Sequence, residues 1–396
     1  MSTASPVLLD PMTIVRDLCA LPHRGATTPE EARAADILER HLRAAGASVQ
    51  RQTFLTPRTY LTEVWWLIGA LVIGLLLLPL LSWLGFVWVA ACVVLALHYF
   101  DWRASPVSLL PPRYPAQNVL GTVPAAGPRR ARLVLMGHYD SAPVSRLYLP
   151  SMVKGFRQSL RISLGLMVLA GVTALLYVLR VGLPWVGWAR YPLVTYFLVQ
   201  GVMSSVDFWR LGYTNGAADN ATGTAVAMAT AARLWQNPIP GLQVDVVLTS
   251  AEEANLKGAL AYFRSFRHEL DPRSTYVLNF DNLGAGHLRI VTRTGSLTDI
   301  VYDNPLVEAA VETAARDPRF QDAKPIAWHT GDFDSAWFAR AGIPSLTLSA
   351  QDDQGLIPHL HRPGDTVENV DESLPRQAVE LAEATIRRLA AAWENH

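Results

Sequence analysis

Two long apolar blocks set the pattern of this chain. Residues 64–100 contain no Asp, Glu, Lys or Arg, and residues 162–206 carry only Arg180 and Arg190. As one helix the first block would rise about 55 Å, well past a hydrocarbon core of about 30 Å. Two spans fit better. A break at Leu81-Ser82-Trp83-Leu84-Gly85 predicts helices over 64–81 and 84–100. The second block repeats the plan, with helices over 162–179 and 191–206 joined by a turn containing Arg180, Gly182, Pro184, Gly187 and Arg190. The reading is four transmembrane helices inserted as two hairpins. Tryptophans agree with it: Trp65, Trp66, Trp102 and Trp209 flank the spans, while Trp83, Trp88, Trp185 and Trp188 lie near the turns, as rings at headgroup depth do. A buried pair of core helices is the competing explanation, but soluble cores seldom hold uncharged stretches of this length.

The remaining pattern alternates between the two periods of regular structure. Thr28-Pro29-Glu30-Glu31 supplies a cap, a proline at the first helical position and early acids, and Gly46 closes that helix. Short β-branched runs predict strands over 47–54, 118–123, 132–136, 244–249, 275–280, 288–292 and 345–349. Helical periodicity follows at 223–235, 258–267, 304–316, 335–341 and 375–393. Such alternation predicts an α/β fold, a three-layer sandwich with a mostly parallel central sheet. The catalytic domain would then comprise 1–60, 101–150 and 211–396, with 61–100 and 151–210 as the two hairpins.

Composition narrows the function. Half of the residues are apolar and only 17% are charged, an excess that the two blocks account for. Net charge is zero and there is no Lys/Arg run, so a nucleic-acid partner is not expected. The two cysteines, Cys19 and Cys92, lie in unlike surroundings and suggest no disulfide framework. The N-terminus shows no basic start followed by an apolar run and a cleavage site, so no signal peptide is expected. Cations at the block ends are unequally shared. Arg51, Arg58, Arg103, Arg113, Lys154, Arg157, Arg161 and Arg210 lie on the side of the termini, against Arg180 and Arg190 at the turn. The positive-inside rule puts the polar domain of this integral membrane protein in the cytoplasm.

Candidate chemistry gathers where apolar strands end. Gly137-His138-Tyr139-Asp140-Ser141 follows the strand at 132–136, placing an imidazole and a carboxylate on one side of an extended segment. Gly216-Ala217-Ala218-Asp219-Asn220-Ala221-Thr222-Gly223 is a loop of small residues that opens a helix; a simple cap would also look like this. Glu252 and Glu253 are adjacent acids after a strand, and they repel unless a cation or a shared proton compensates. An exposed helix start explains that pair equally well. Asp281 ends an apolar strand that would not otherwise favour an acid, and His361 begins His361-Arg362-Pro363-Gly364-Asp365-Thr366.

Taken in order, HYDS, GAADNATG, AEE, NFDNLG and HRPGDT resemble the zinc exopeptidase family of bacterial leucyl aminopeptidases, aminopeptidase Y and glutamate carboxypeptidase. The resemblance spans roughly 118–371 with the second hairpin excised. It implies two zinc ions per chain, bridged by Asp219. His138 and Asp281 would complete one site, and Glu253 and His361 the other. Glu252 would be the general base, Asp140 would orient His138, and the peptide bond after Asp219 would be cis. The donor types suit zinc, and an ion pair can activate water and polarise a scissile carbonyl. The stretch Trp328-His329-Thr330-Gly331-Asp332-Phe333-Asp334-Ser335 departs from the Ser-Asp-His-like pattern of relatives. His329 and Tyr213 are weaker candidates for substrate or oxyanion contacts, and His359 for an auxiliary role.

The expected activity is hydrolysis of peptide bonds, with aminopeptidase action as the family default. Substrates would be hydrophobic or membrane-delivered peptides, because the second hairpin enters beside a metal-bearing loop and brings the site close to the bilayer. A glutaminyl cyclase with a single zinc, a metal-free transamidase-type scaffold and a membrane receptor or transport-associated protein remain as alternatives. The last is opposed by spans that carry no internal ion path, and there is neither an HExxH helix nor a GxSxG elbow.

Overall fold

The structure is a computed structural model that describes residues 8–103, 105–181 and 185–393. Nine strands form one sheet: β1 Ser48–Thr56, β2 Tyr114–Val123, β3 Ala131–His138, β4 Leu242–Thr249, β5 Thr275–Phe280, β6 His287–Thr294, β7 Ile300–Val301, β8 Lys324–Ala327 and β9 Ser345–Gln351. Their order is β1-β2-β4-β3-β5-β9-β6-β7, with β8 beside β6. Alternation along β3 shows why three layers result. Leu133 and Leu135 face helices Pro11–Cys19, Pro29–Ala44, Gly223–Gln236, Pro305–Arg316 and Ser373–Trp393, while Val134 and Met136 face Lys257–Phe266 and Ala336–Arg340. Both faces of a central strand are therefore covered.

The sheet is mixed rather than mostly parallel. Pairs β3–β4, β3–β5, β5–β9 and β6–β8 are parallel, but β1–β2, β2–β4, β6–β9 and β6–β7 run antiparallel. Strand periodicity reports which face is buried and not which neighbour a strand chooses, so this feature could not be read locally. β7, β8 and helix Pro11–Cys19 were also not predicted; the two strands are too short to show a period. Thr28 caps its helix as expected, its Oγ1 accepting from the Glu31 N–H at 3.2 Å.

Among the described residues, three helices are long and apolar enough to cross a membrane: Tyr60–Leu77, Ser82–Phe100 and Phe156–Val178. The expected fourth span lies within a longer helix, Trp185–Leu211, which contains Pro192 and is diluted by Arg190, Asp207 and Arg210. Gly187 and Arg190 are helical and not part of a turn, while Gly182 and Pro184 lie outside the described residues. The first turn occupies residues 78–81, and Ser82 already begins the next helix. The first helix also starts four residues before the uncharged block. It tolerates Glu63 because that buried carboxylate sits 2.9 Å from Lys257 Nζ and accepts from the Tyr99 hydroxyl. The four helices share one core through Leu71, Leu75, Val89, Leu164, Ala170 and Phe197. Gly74 allows the close approach of the first two, because a Cβ there would lie 2.8 Å from side-chain atoms of Trp88 and Val89. Outward positions such as Leu80, Trp83, Val168 and Val199 are exposed. Cys19 and Cys92 are free thiols.

Candidate metal centre

Parallel strands deliver their C-terminal ends to one edge, and the candidate residues meet there. His138 is the last residue of β3, Asp140 lies two beyond it, and Glu252 and Glu253 follow β4. Asp281 follows β5, its N–H donating to the Leu348 carbonyl of β9 at 3.0 Å. Asp219 lies in the loop ahead of helix Gly223–Gln236, with a cis peptide bond to Asn220. His361 comes from the loop beyond β9. Ala251, Asn282 and His361 all hold positive φ, at 57°, 55° and 50°, although none is glycine. Such strained backbone persists only where surrounding contacts over-determine it.

Asp219 stands between the two imidazoles. Its Oδ1 is 3.2 Å from His138 Nε2 and its Oδ2 is 3.2 Å from His361 Nε2. Asp281 Oδ2 lies 3.6 Å from His138 Nε2, and Glu253 Oε1 lies 3.2 Å from His361 Nε2. Glu252 Oε2 is farther from His138 Nε2, at 3.9 Å. Asp140 does more than the sequence suggests. Its Oδ1 is 3.5 Å from His138 Nδ1, and its two oxygens also accept the N–H groups of Glu252 and Glu253 at 3.1 and 3.2 Å. One carboxylate thus positions both the imidazole and the acidic pair.

Charge in this pocket is unbalanced. Burial pushes Asp281 up to about 8, despite the nearby His138, and it raises Glu252 and Glu253 as well. Burial would lower both imidazoles, but the surrounding carboxylates outweigh it; His361 is held up at about 10 and His138 well above its ordinary value. Asp219 moves the other way, because its hydrogen bonds to both imidazoles overcome burial. Five carboxylates face two imidazoles, more acidic groups than the rings can pair, so without a further cation some of them must hold protons.

A metal ion fits this donor set. Asp219 Oδ2 and Glu253 Oε1 are buried with only His361 Nε2 near them, at 3.2 Å from each and poorly aligned to serve either as a hydrogen-bond donor. Two donors each about 2.0–2.1 Å from one tetrahedral zinc stand about 3.3 Å apart. The separations of 3.2, 3.2 and 3.6 Å across Asp219, Glu253 and Asp281 agree with that spacing. The sets His138, Asp219, Glu253 and His138, Glu252, Asp281 each have donor atoms within 4.8 Å of one another.

Several residues of the site carry no role in the sequence analysis. Asp365 accepts from Ala218 N and Asp219 N at 2.6 and 3.2 Å; burial, reinforced by Asp219, raises it to about 7. It is the acid of the HRPGDT motif, so its signal was present. Arg24 is fully buried and donates to the carbonyls of Tyr139, Asn215 and Gly216 at 2.7, 2.6 and 2.6 Å, tying two loops together. Nothing in its local sequence marks it. Asn282 Nδ2 donates to Asp281 Oδ1 at 2.6 Å, and the Tyr148 ring lies 4.0 Å from that of His361. His329 instead bonds the Gly295 carbonyl at 3.2 Å and Tyr213 packs on His23 and Phe208; neither they nor His359 line the cavity at the cluster.

An α/β sandwich with a buried histidine–carboxylate cluster at the C-terminal edge of its parallel strands has the donors and the setting of a metal-dependent enzyme. Residues 199–386 match the model of peptidase family M28. That match covers a little under half of the chain, and over those residues the chain is similar to this peptidase family. No curated protein sequence matches it. Similar solved structures include a Zn-dependent exopeptidase from Parabacteroides distasonis, 14% identical with a TM-score of 0.55, covering 98% of this chain and 99% of that one. A zinc aminopeptidase from Bacillus subtilis is 14% identical with a TM-score of 0.56, covering 95% and 94%. A glutaminyl cyclase from an Acidobacteriales bacterium is 13% identical with a TM-score of 0.57, covering 99% and 98%. At these identities the structural likeness is one of fold.

Proposed function

We propose that the protein is a membrane-embedded aminopeptidase that uses two zinc ions, held by His138 and Asp281 on one side of Asp219 and by Glu253 and His361 on the other. The division of the Asp219 carboxylate between two imidazoles, at 3.2 Å each, carries this reading. Zinc bound there would acidify a water and polarise the scissile carbonyl. Glu252 would take the proton of that water and return it to the leaving amine, while Asp140 holds His138 and the backbone of the acidic pair in place. The test is metal content and turnover of the detergent-purified protein on free and N-blocked peptides, with and without chelator. Two zinc ions per chain and chelator-sensitive release of N-terminal residues are expected. One ion with cyclisation of N-terminal glutamine would assign a glutaminyl cyclase, and no metal would assign a scaffold.

Membrane embedding as four spans, with the catalytic domain in the cytoplasm, is supported by the three apolar helices, their exposed outward residues and the cation asymmetry. A cysteine introduced at Arg180 should react with an impermeant thiol reagent in intact cells. Reaction only after permeabilisation would place the domain on the opposite side.

A further inference from the structure

One cavity of about 560 Å³ runs from the metal-centre residues into the bundle of apolar helices. At one end it is bounded by His138, Asp219, Glu252 and His361; at the other by Leu67, Leu71, Leu164, Met167 and Phe197, which are buried inside the bundle. Trp328, Thr330, Gly331, Asp332 and Phe333, from the stretch that departs from the family pattern, also line it. Polar groups within the bundle are few and largely engaged: Gln200 Nε2 donates to Ser163 Oγ at 2.8 Å, and Ser163 Oγ lies 2.9 Å from the Tyr196 hydroxyl. Tyr60, Tyr99, Ser159 and Ser204 line the cavity as well, with Tyr99 donating to Glu63 and Ser204 to the Gly201 carbonyl; the rest of the bundle end is alkyl and aromatic, and no charged side chain of the bundle lines it.

These features select among occupants. A helix about 10 Å across would exhaust 560 Å³ in roughly 7 Å, little more than one turn, so a folded transmembrane segment does not fit. An extended peptide would bring its own N–H and C=O groups between the helices, where they find almost no free partners. A charged side chain would find no counter-ion there. An unbranched hydrocarbon chain needs neither, and a chain borne directly on the scissile carbonyl places no polar group beyond the metal centre.

We infer that the interhelical chamber is an acyl-chain site, and that the enzyme hydrolyses amides whose carbonyl carries a long fatty chain, such as N-fatty-acyl amino acids. This rests on the amide-hydrolase reading of the metal centre. Water adds across the amide: a C–O bond forms at the acyl carbon, the C–N bond breaks and a proton passes to the nitrogen, giving a fatty acid and a free amine.

The test uses the full-length protein in detergent, stripped of metal, with dodecanoyl-alanine carrying a diazirine at the end of its chain. Photolysis should label Leu71, Leu164 or Met167, and excess dodecanoyl-alanine should compete where acetyl-alanine does not. Met167→Trp should reduce the labelling about tenfold or more. The zinc-loaded wild type provides a measurement that does not depend on that variant folding: kcat/KM for dodecanoyl-alanine should exceed that for acetyl-alanine by about tenfold or more. Adducts confined to outward residues such as Val168, Leu169 and Val199, or chamber adducts that excess ligand does not compete, would overturn the inference. Chamber labelling without hydrolysis of any amide would remove the hydrolase reading and leave the acyl site. Hydrolysis of short peptides without chamber labelling would do the reverse.

Discussion

Glu252→Gln should lower kcat by about 10²–10⁴-fold while leaving bound zinc at the wild-type level. The substitution keeps the shape of the side chain and removes its capacity to take a proton. Its backbone contacts, the N–H to Asp140 and the carbonyl to Leu256 N at 2.7 Å, do not involve the carboxylate. Burial and the neighbouring Glu253 raise its proton affinity against the opposing pull of His138. Distance alone leaves a second role open, because Glu252 Oε2 stands 3.9 Å from His138 Nε2 where Asp281 Oδ2 stands at 3.6 Å. Metal analysis separates the two. A variant that loses activity and one zinc together makes Glu252 a ligand, and one that retains normal turnover ends its assignment as base.

Asp219→Ala should be the more severe loss, because a shared donor serves both ions. Bound zinc should fall below one per chain and turnover become undetectable, whereas His361→Ala should cost mainly one ion. The expected loss of affinity exceeds the ~10–100-fold typical of an outer partner such as Asp365. Elemental analysis of the purified variants, after dialysis against buffered zinc, reads both effects. Retention of two ions by Asp219→Ala would show that the carboxylate bridges nothing, and the reading of a metal pair would fall with it. Removing Asp219 also relieves its own like-charge repulsion of Glu253, Asp281 and Asp365. The variant therefore need not unfold, and circular dichroism in detergent provides the control.

Much of this protein is written locally. Long blocks with few or no charges announce apolar helices because soluble cores seldom stay uncharged for that length. Strand β5 could be bounded to the residue because its apolar run is cut by polar neighbours on both sides. Candidate donors could be named because a histidine or an acid at the end of an apolar strand conflicts with burial unless something compensates. Arg24 and Glu63 carry no such signature. Each is an ordinary charged residue in sequence, and only the convergence of Tyr139, Asn215 and Gly216 on one, or of Lys257 and Tyr99 on the other, makes it structural.

What the chain alone determined, then, was the type and order of its longer elements and a set of candidate cation donors, since periodicity, caps and donor chemistry are local properties. Tertiary structure decided the antiparallel half of the sheet pairings, the true ends of the apolar helices and the opening of the metal centre into the space between them. Those depend on contacts between segments far apart in sequence: Lys257 lies beyond both hairpins, yet its ammonium is what lets Glu63 enter a helix of apolar neighbours.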